Sequence, residues 1–475
     1  MHTKTHNWRI KLYMKNIVKL VVIFELLTFV FCNEIDWLDQ REILNIPFTN
    51  NTLKIVVNEN TVNALYIKNE AYQDVYQIRS VDGGKTWADE VNLTNNDGTC
   101  SRATIVAQSD TLHLVYDEQQ LGPLFRVMYL RSTDGGVTWD DEVELSPIAW
   151  LNGYRSPIVT NDGDKLYIIF IEHNSPTHYH LLAISLDRGE TWEELVILNY
   201  PDINPGDLAS LKFRNVSVIN DVLHITGFHQ SDEHTNMCAE IFYMRINEDL
   251  SCETPFYISY VDNLHSQFPN SMIDNNNTLH IVWMDYLDSP YSLNGPIHYK
   301  KLYEDNIWSN IEAITEPTAY IPKIQIDEES NIYLIYRDNR DGGFSYVYQE
   351  VYFRHYTVID SSWGDETRLS YFDPPQAGAI ALTLSENVIY VVWGQDIDPG
   401  GYSIYLRPGI LNGLKGDVNG DTVIDIFDII ELEGIILTGS QSSLSLYDSW
   451  VADLNDDDII DMLDIIMIIN LILAE

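Results

Sequence analysis

The chain has 475 residues, with 71 acidic against 28 basic side chains and a formal net charge of −43. That length admits one large body and a small appendage, and the charge excludes nucleic acid as a partner, since no basic stripe is present that could displace counterions from phosphates. So much acid suits solubility in salty surroundings and affinity for Ca²⁺.

Residues 1–32 place Lys11, Lys15 and Lys19 ahead of the apolar run Leu20–Phe31. This reads as a secretory signal, too short and too early for a spanning anchor, with cleavage near Cys32 or lipid modification of Cys32. Export leaves Cys100, Cys238 and Cys252, three thiols that cannot all pair, and a Cys238–Cys252 bridge stays open. Asp36–Leu44 then matches the outer strand that closes each later unit, although no unit precedes it. Complete units begin near Leu53, Arg102, Arg155, Arg214, Phe268 and Pro322, each an alternating set of apolar strands. In the first they lie at Leu53–Val57, Ala64–Lys68, Val75–Arg79 and Val91–Thr94. The last unit, Ala377–Pro408, has three strands, and the orphan N-terminal strand supplies the fourth. The resulting expectation is an all-β, seven-bladed propeller of four-stranded antiparallel blades over 33–410, with six blades as the alternative.

Three of these units share a turn. Ser80 to Trp87, Ser132 to Trp139 and Ser185 to Trp192 all read Ser-x-Asp-x-Gly-x-Thr-Trp, with starts 52 and 53 residues apart. Asp82, Asp134 and Asp187 are placed to accept backbone N–H bonds in the bend, Gly83-Gly84 to supply positive φ, and Trp87, Trp139 and Trp192 to anchor the next strand. The motif resembles the Asp-box of the sialidase, or bacterial-neuraminidase, repeat families. The resemblance implies a structural box on the outer underside of each blade, away from any chemistry.

Past a short linker at 411–416, the segment 417–475 carries duplicated loops, Asp417–Asp428 and Asp453–Asp464, 36 residues apart. Asp417, Asn419, Asp421, Asp425 and Asp428 in one, and Asp453, Asn455, Asp457, Asp461 and Asp464 in the other, stand at positions 1, 3, 5, 9 and 12. Val423 and Ile459 offer backbone carbonyls at position 7. That spacing wraps a chain around a hard cation, as in an EF-hand loop, and predicts two Ca²⁺ ions coupled to folding. Each loop runs into an apolar helix. The duplicated half-EF-hands resemble a type I dockerin, which implies a cohesin-like scaffold partner met through positions 10 and 11, here Ile426-Phe427 and Met462-Leu463. Position 6 departs from the pattern, with Thr422 and Asp458 where glycine eases the turn.

Chemistry is expected at the channel mouth, where inner strands begin and second strands end. Arg102, Arg155 and Arg214 begin three consecutive units and would form an anion site there. The resemblance implies an arginine triad on a substrate carboxylate. Asp117, Glu172, Asp285 and Asp338 close second strands toward the same face, with Asp117 or Asp285 as proton donor, and Trp393 and Tyr286 are candidates to stack on sugars. No Tyr–Glu nucleophile pair can be placed; Tyr402 is a guess. His173, His178 and His180 are too irregularly placed for a zinc site. Two functions stay open: an exo-α-sialidase-type glycoside hydrolase acting on extracellular glycans, or a non-catalytic glycan- or protein-binding propeller. Either would be a secreted monomer that does not span a membrane, attached through its tail to a scaffold or to the cell surface.

Overall fold

The computed structural model describes residues 35–47, 49–95, 97–119, 124–147, 153–174, 177–200, 210–230, 238–286, 295–340, 349–371, 377–385, 387–397 and 401–474. The signal expected at 1–32 lies outside them. Among the described residues no helix is long and apolar enough to cross a membrane.

Seven antiparallel sheets form the blades. Their inner strands are Thr49–Asn58, Thr99–Gln108, Gly153–Asp162, Leu211–Ile219, Ser266–Ile273, Ala319–Ile326 and Ala377–Ser385, each packed on the next, with the seventh against the first. Blade 2 shows the pattern: Thr99–Gln108, Thr111–Gln119, Phe125–Ser132 and the short outer Val143–Glu144 pair in order. In blade 7 the outer position is filled by the start of the chain. Arg41–Pro47 pairs with Gly401–Ile410 from Arg41 opposite Leu406 to Pro47 opposite Gly401, and Asp36–Trp37 extends the edge. The ring thus closes without a long free edge. In blade 6 the outer strand is split into two short pieces, Ser362–Trp363 and Thr367–Arg368.

The Asp-boxes show why the turns recur. Asp134 accepts from Ser132 Oγ at 2.9 Å, Thr138 N at 2.9 Å and Thr138 Oγ1 at 2.6 Å, while Ser132 Oγ accepts from Gly136 N at 2.8 Å. Asp82 and Asp187 repeat the set. Left-handed φ falls on Gly83 and Gly84, on Gly135 and Gly136, and on Arg188 and Gly189. Each box also seats on the preceding blade: the carbonyl of Gly136 accepts from Gln77 at 3.0 Å, and a Cβ on Gly189 would stand 1.8 Å from the Tyr129 hydroxyl. The first box meets Leu406 of blade 7, so the same device helps to close the ring.

Blades 5 and 6 lose the box but keep its tryptophan, which packs as Trp192 of the third box does. Trp192 meets Tyr129 edge-on at 4.9 Å, Trp308 meets Tyr243 at 5.1 Å and Trp363 meets Tyr299 at 5.4 Å. Behind each tyrosine a second-strand histidine bonds the hydroxyl: His113 at 2.8 Å, His224 at 2.8 Å and His280 at 2.7 Å. A buried hydroxyl needs such a partner, which explains the polar residue within the Thr-Leu-His strands.

Cys100, Cys238 and Cys252 are buried, and among the described residues they form no disulfide. Cys238 precedes Ala239–Ile246 and Cys252 bridges to Ile246, at the strand's far end. Eight residues of strand span ~26 Å, far beyond the reach of a disulfide, so the Cys238–Cys252 pairing left open by the sequence is absent.

The chain divides into two compact units, Asp39–Glu386 with Tyr390–Arg407, and Met1–Leu38 with Asn387–Ile389 and Pro408–Glu475. In the second, helices α1 (Ile426–Thr438), α2 (Leu446–Ala452) and α3 (Met462–Ala474) enclose a small core of Leu432, Ile435, Ala452, Ile460, Ile465 and Ile468. Asp425 and Ser445 cap α1 and α2 in reciprocal capping boxes.

Candidate functional site

Inner strands carry the site because their exposed edge faces the central channel. Near the upper rim six of them slip register, between Thr49 and Leu53, Cys100 and Arg102, Arg155 and Ile158, Phe213 and Asn215, Gln267 and Asn270, and Tyr320 and Lys323. Such bulges bend the strand and re-aim side chains. In blades 3, 5 and 6 the inserted residue precedes proline and is left-handed, with φ 59° at Ser156, 56° at Phe268 and 47° at Ile321. Each such residue costs on the order of 1–3 kcal/mol, and Pro157, Pro269 and Pro322 are tolerated on an edge that needs no donor.

The three expected arginines do not share one level. Counted along the second strand from the lower hairpin, Arg102 opposite Asp117 stands six residues above Thr111, and Arg155 opposite Ile171 six above Lys165. In blade 4 that level belongs to Lys212, opposite Phe228, six above Val222; Arg214 is the bulged residue below it. Arg102 donates to Ser156 Oγ at 2.9 Å and lies 3.6 Å from Asp117. The Arg155 guanidinium covers Phe125 at 3.5 Å and that of Arg214 covers Phe228 at 4.9 Å. Among the described residues no carboxylate lies within 4.0 Å of Arg155, Lys212 or Arg214. Burial and the field of Arg102 push Arg214 down to about 10. Part of its side chain nevertheless stays exposed.

The expected acids have different surroundings. Asp117 is wholly buried and accepts from Ser101 Oγ at 2.6 Å, Arg102 N at 2.9 Å and Ser156 N at 3.0 Å, tying blade 2 to blade 3. Asp338 is equally buried against Arg340 at 2.6 Å, which also holds Glu366 at 2.7 Å. Glu172 is half-buried on the second strand of blade 3, opposite Tyr154. Asp285 accepts from Ser266 Oγ at 2.9 Å and faces His298 at 3.0 Å. Ser266 Oγ stands 3.4 Å from Glu240, a carboxyl unforeseen in the sequence; burial, with the fields of Asp262 and Asp285 adding, raises it to about 7. Glu240 is itself wholly buried and accepts from Ser259 Oγ at 2.8 Å, and a raised carboxyl linked through one hydroxyl to a second acid has the character that general acid–base chemistry uses. It arises here because blades 4 and 5 meet, which no local sequence signal announces.

The aromatic expectations fall differently. Trp393 is fully buried and stacks on Tyr405 at 5.9 Å, so its faces belong to blade 7 rather than to a sugar; Tyr286 is buried too. Tyr402 lies over Gly378 and Gly394, where added Cβ atoms would reach its hydroxyl at 2.7 and 1.7 Å, and its field acts on Arg337. His173 and His178 meet edge-on at 5.0 Å, and burial together with His178, Lys212, Arg155 and Arg102 depresses His173 to about 4. His180 is buried and stacks on Phe213 at 4.0 Å.

In the tail, loop carboxylates organise their own backbone. Asp417 accepts from Asp421 N at 3.0 Å and Thr422 N at 2.8 Å, and Asp428 from Asn419 N at 3.1 Å and Asp425 N at 2.7 Å; Asp453 and Asp464 repeat this. Thr422 and Asp458 adopt φ 69° and 61°, so position 6 makes its left-handed turn without glycine. Burial first, with neighbouring carboxylates adding, raises Asp417 and Asp453. These features fit a hard cation, although among the described residues no three acidic, histidine or cysteine side chains are gathered to ligating distance.

Seven four-stranded blades with recurring Asp-box turns define a sialidase-like β-propeller. The BNR repeat-like domain family matches residues 41–281, and the chain belongs to it. It is 29% identical over 154 residues to a sialidase of Clostridium perfringens, covering 26% of this chain and 40% of that one. A sialidase of Paraclostridium sordellii is 29% identical over 157 residues, covering 26% and 39%. The chain therefore spans about two fifths of the length of these relatives. Among solved structures, an ulvan lyase bound to -[GlcA(1-4)Rha3S]- superposes with TM-score 0.52 at 12% identity over 77% of this chain and 95% of that one. A second polysaccharide lyase gives 0.52 at 11% over 79% and 100%. At such identity these structures speak for the fold alone.

Proposed function

We propose that the chain is an exported propeller that holds an acidic glycan at its channel mouth and processes it. The carrying observation is the cluster Arg102, Arg155, Lys212 and Arg214, whose guanidinium and ammonium groups, Arg102 apart, have no carboxylate within 4.0 Å among the described residues. Unpaired cations in a protein-walled funnel are a site for an anionic group, and two arginines can grip a carboxylate through paired N–H donors. The kinship with sialidases supports sialic acid as the first substrate to try, and Glu240, with Asp285 beside it, is a proton donor of the right character for glycosidic cleavage.

Turnover of a fluorogenic sialoside by the full chain, by Arg155→Ala and by Glu240→Gln tests this. Turnover in the wild type, lost about a hundredfold or more in both variants, is expected; equal rates at buffer level in all three would remove the hydrolase. A binding-only propeller is favoured by the engagement of Asp117 and Asp338 in structural bonds, and would show sialoside affinity dependent on Arg155 without turnover.

The tail completes the proposal as a calcium-folded dockerin. Asp417, Asn419, Asp421, Asp425, Asp428 and the Val423 carbonyl would hold one ion, and Asp453, Asn455, Asp457, Asp461, Asp464 and the Ile459 carbonyl the other. The ions would supply counter-charge to the crowded carboxylates. Ile426, Phe427, Met462 and Leu463 are all more than half exposed and would present the face to a cohesin-like scaffold, placing the propeller outside the cell.

A further inference from the structure

The inner strands hold more cations than the mouth uses. Together they carry Lys54, Arg102, Arg155, Lys212, Arg214 and Lys323, against the single acid Asp162 at a strand's lower end, in a chain of net charge −43. Lys54 pairs opposite Leu65, four residues above Thr61, and Lys323 opposite Ile335, four above Asn331, which closes its hairpin on Asp327. Arg102, Arg155 and Lys212 stand at six. The lysines therefore form a lower tier, two residues down the strands or ~7 Å deeper.

Both lysines face the channel. Their neighbours Leu53, Ile55 and Ile324 are buried, while the lysines keep part of their surface open, and the unpaired edge of an inner strand is the one that borders the channel. Blade 7 stands between blades 6 and 1, and its inner strand begins Ala377-Gly378-Ala379 with Ala381 below, which leaves room on that side. No carboxylate lies within 4.0 Å of Lys54 or Lys323 among the described residues. Burial, with the charges of Lys54 and Arg214 adding, pushes Lys323 down to about 7, and burial also lowers Lys54. Like charges held together without partners oppose one another, and a bound anion removes that opposition.

We infer that Lys54 and Lys323, with Arg214 above them, form a second anion site inside the channel, so that the ligand is an acidic oligosaccharide entering end-on with two anionic groups, carboxylate or sulfate, rather than a lone acidic monosaccharide. The inference rests on the mouth holding the first anionic group, as proposed above, and extends that reading to the substrate's length and charge spacing.

Calorimetric titration of the full chain with galacturonate, di- and trigalacturonate, a disulfated disaccharide and a neutral disaccharide tests it. Wild type is expected to gain at least tenfold in affinity from the monoanion to a di- or trianion and nothing from the neutral sugar. The sulfated and uronate arms identify which anion the lower tier prefers. Lys54→Gln/Lys323→Gln should lose that gain yet keep the monoanion affinity, and Arg102→Gln should weaken both. Removing two mutually repelling charges should leave the thermal midpoint unchanged or higher, which confirms that the variant is folded. A gain that persists without the lysines, or that never appears in the wild type, overturns the second site while the mouth stands. Failure of the monoanion to bind, with lysine-dependent binding of the longer anions, overturns the mouth instead, and no binding by any probe removes both.

Discussion

Gly189 shows how a single residue can hold two blades in register. It sits at φ 76°, and a Cβ there would stand 1.8 Å from the Tyr129 hydroxyl, which itself bonds His113 and receives the edge of Trp192. Gly189→Ala therefore combines backbone strain with displacement of a buried network and should cost ~2–4 kcal/mol, read as a lower denaturant midpoint with unchanged slope. A cost near zero would show that the box is decoration. The glycine was legible in the repeat, and so was its positive φ. The tyrosine it touches lies 60 residues earlier, and only the stacking of blade 3 on blade 2 brings it near.

At the scale of elements, strands and helices followed their periodicity closely. The alternation in Thr111–Gln119 and Leu279–Asp285 read as strand, and the orphan segment at the start of the chain became the outer strand of blade 7. The bulges were not legible, because an extra residue in a strand leaves no periodic mark in a short inner segment. They lower Arg214 out of line with Arg102 and Arg155 and leave Lys212 in its place. In the tail, the duplicated loops predict a sharper dependence. Calorimetry of the full chain with CaCl₂ after chelation should show two bound ions, and circular dichroism a gain of helix for α1 and α3. Absence of heat and of any change would remove calcium from the tail, since the carboxylates would then be stable without counter-charge.

For the whole molecule, stability should depend on pH through its buried histidines. Burial is the leading cause that holds His113, His173 and His224 at about 4 and His180 at about 3. The unfolded chain, with histidines near 6.5, binds more protons between these values, so their contribution is complete above pH 6.5 and is lost as pH falls toward 4. Glu240, raised to about 7, runs the other way: its contribution is present below the ordinary glutamate range and is lost as pH rises through 7. Four histidines outweigh one carboxyl. The unfolding free energy should fall by several kcal/mol from pH 7 to pH 5, on the order of 1–2 for each histidine. A denaturation midpoint flat over that range would show that these rings are hydrated in the native state.

By itself the sequence determined the repeating unit, the closure of its ends, the turns and the acidic loops, because each is written in local spacing and each strand must bury one face against its neighbours. Only the tertiary structure decided which side chains share a level in the channel, that Glu240 and Asp285 meet through Ser266, that Trp393 is walled inside its blade, and that Cys238 and Cys252 sit at opposite ends of one strand. Those facts depend on register slips and on contacts across strands and between blades, and the alternation of residues along one strand carries no record of either.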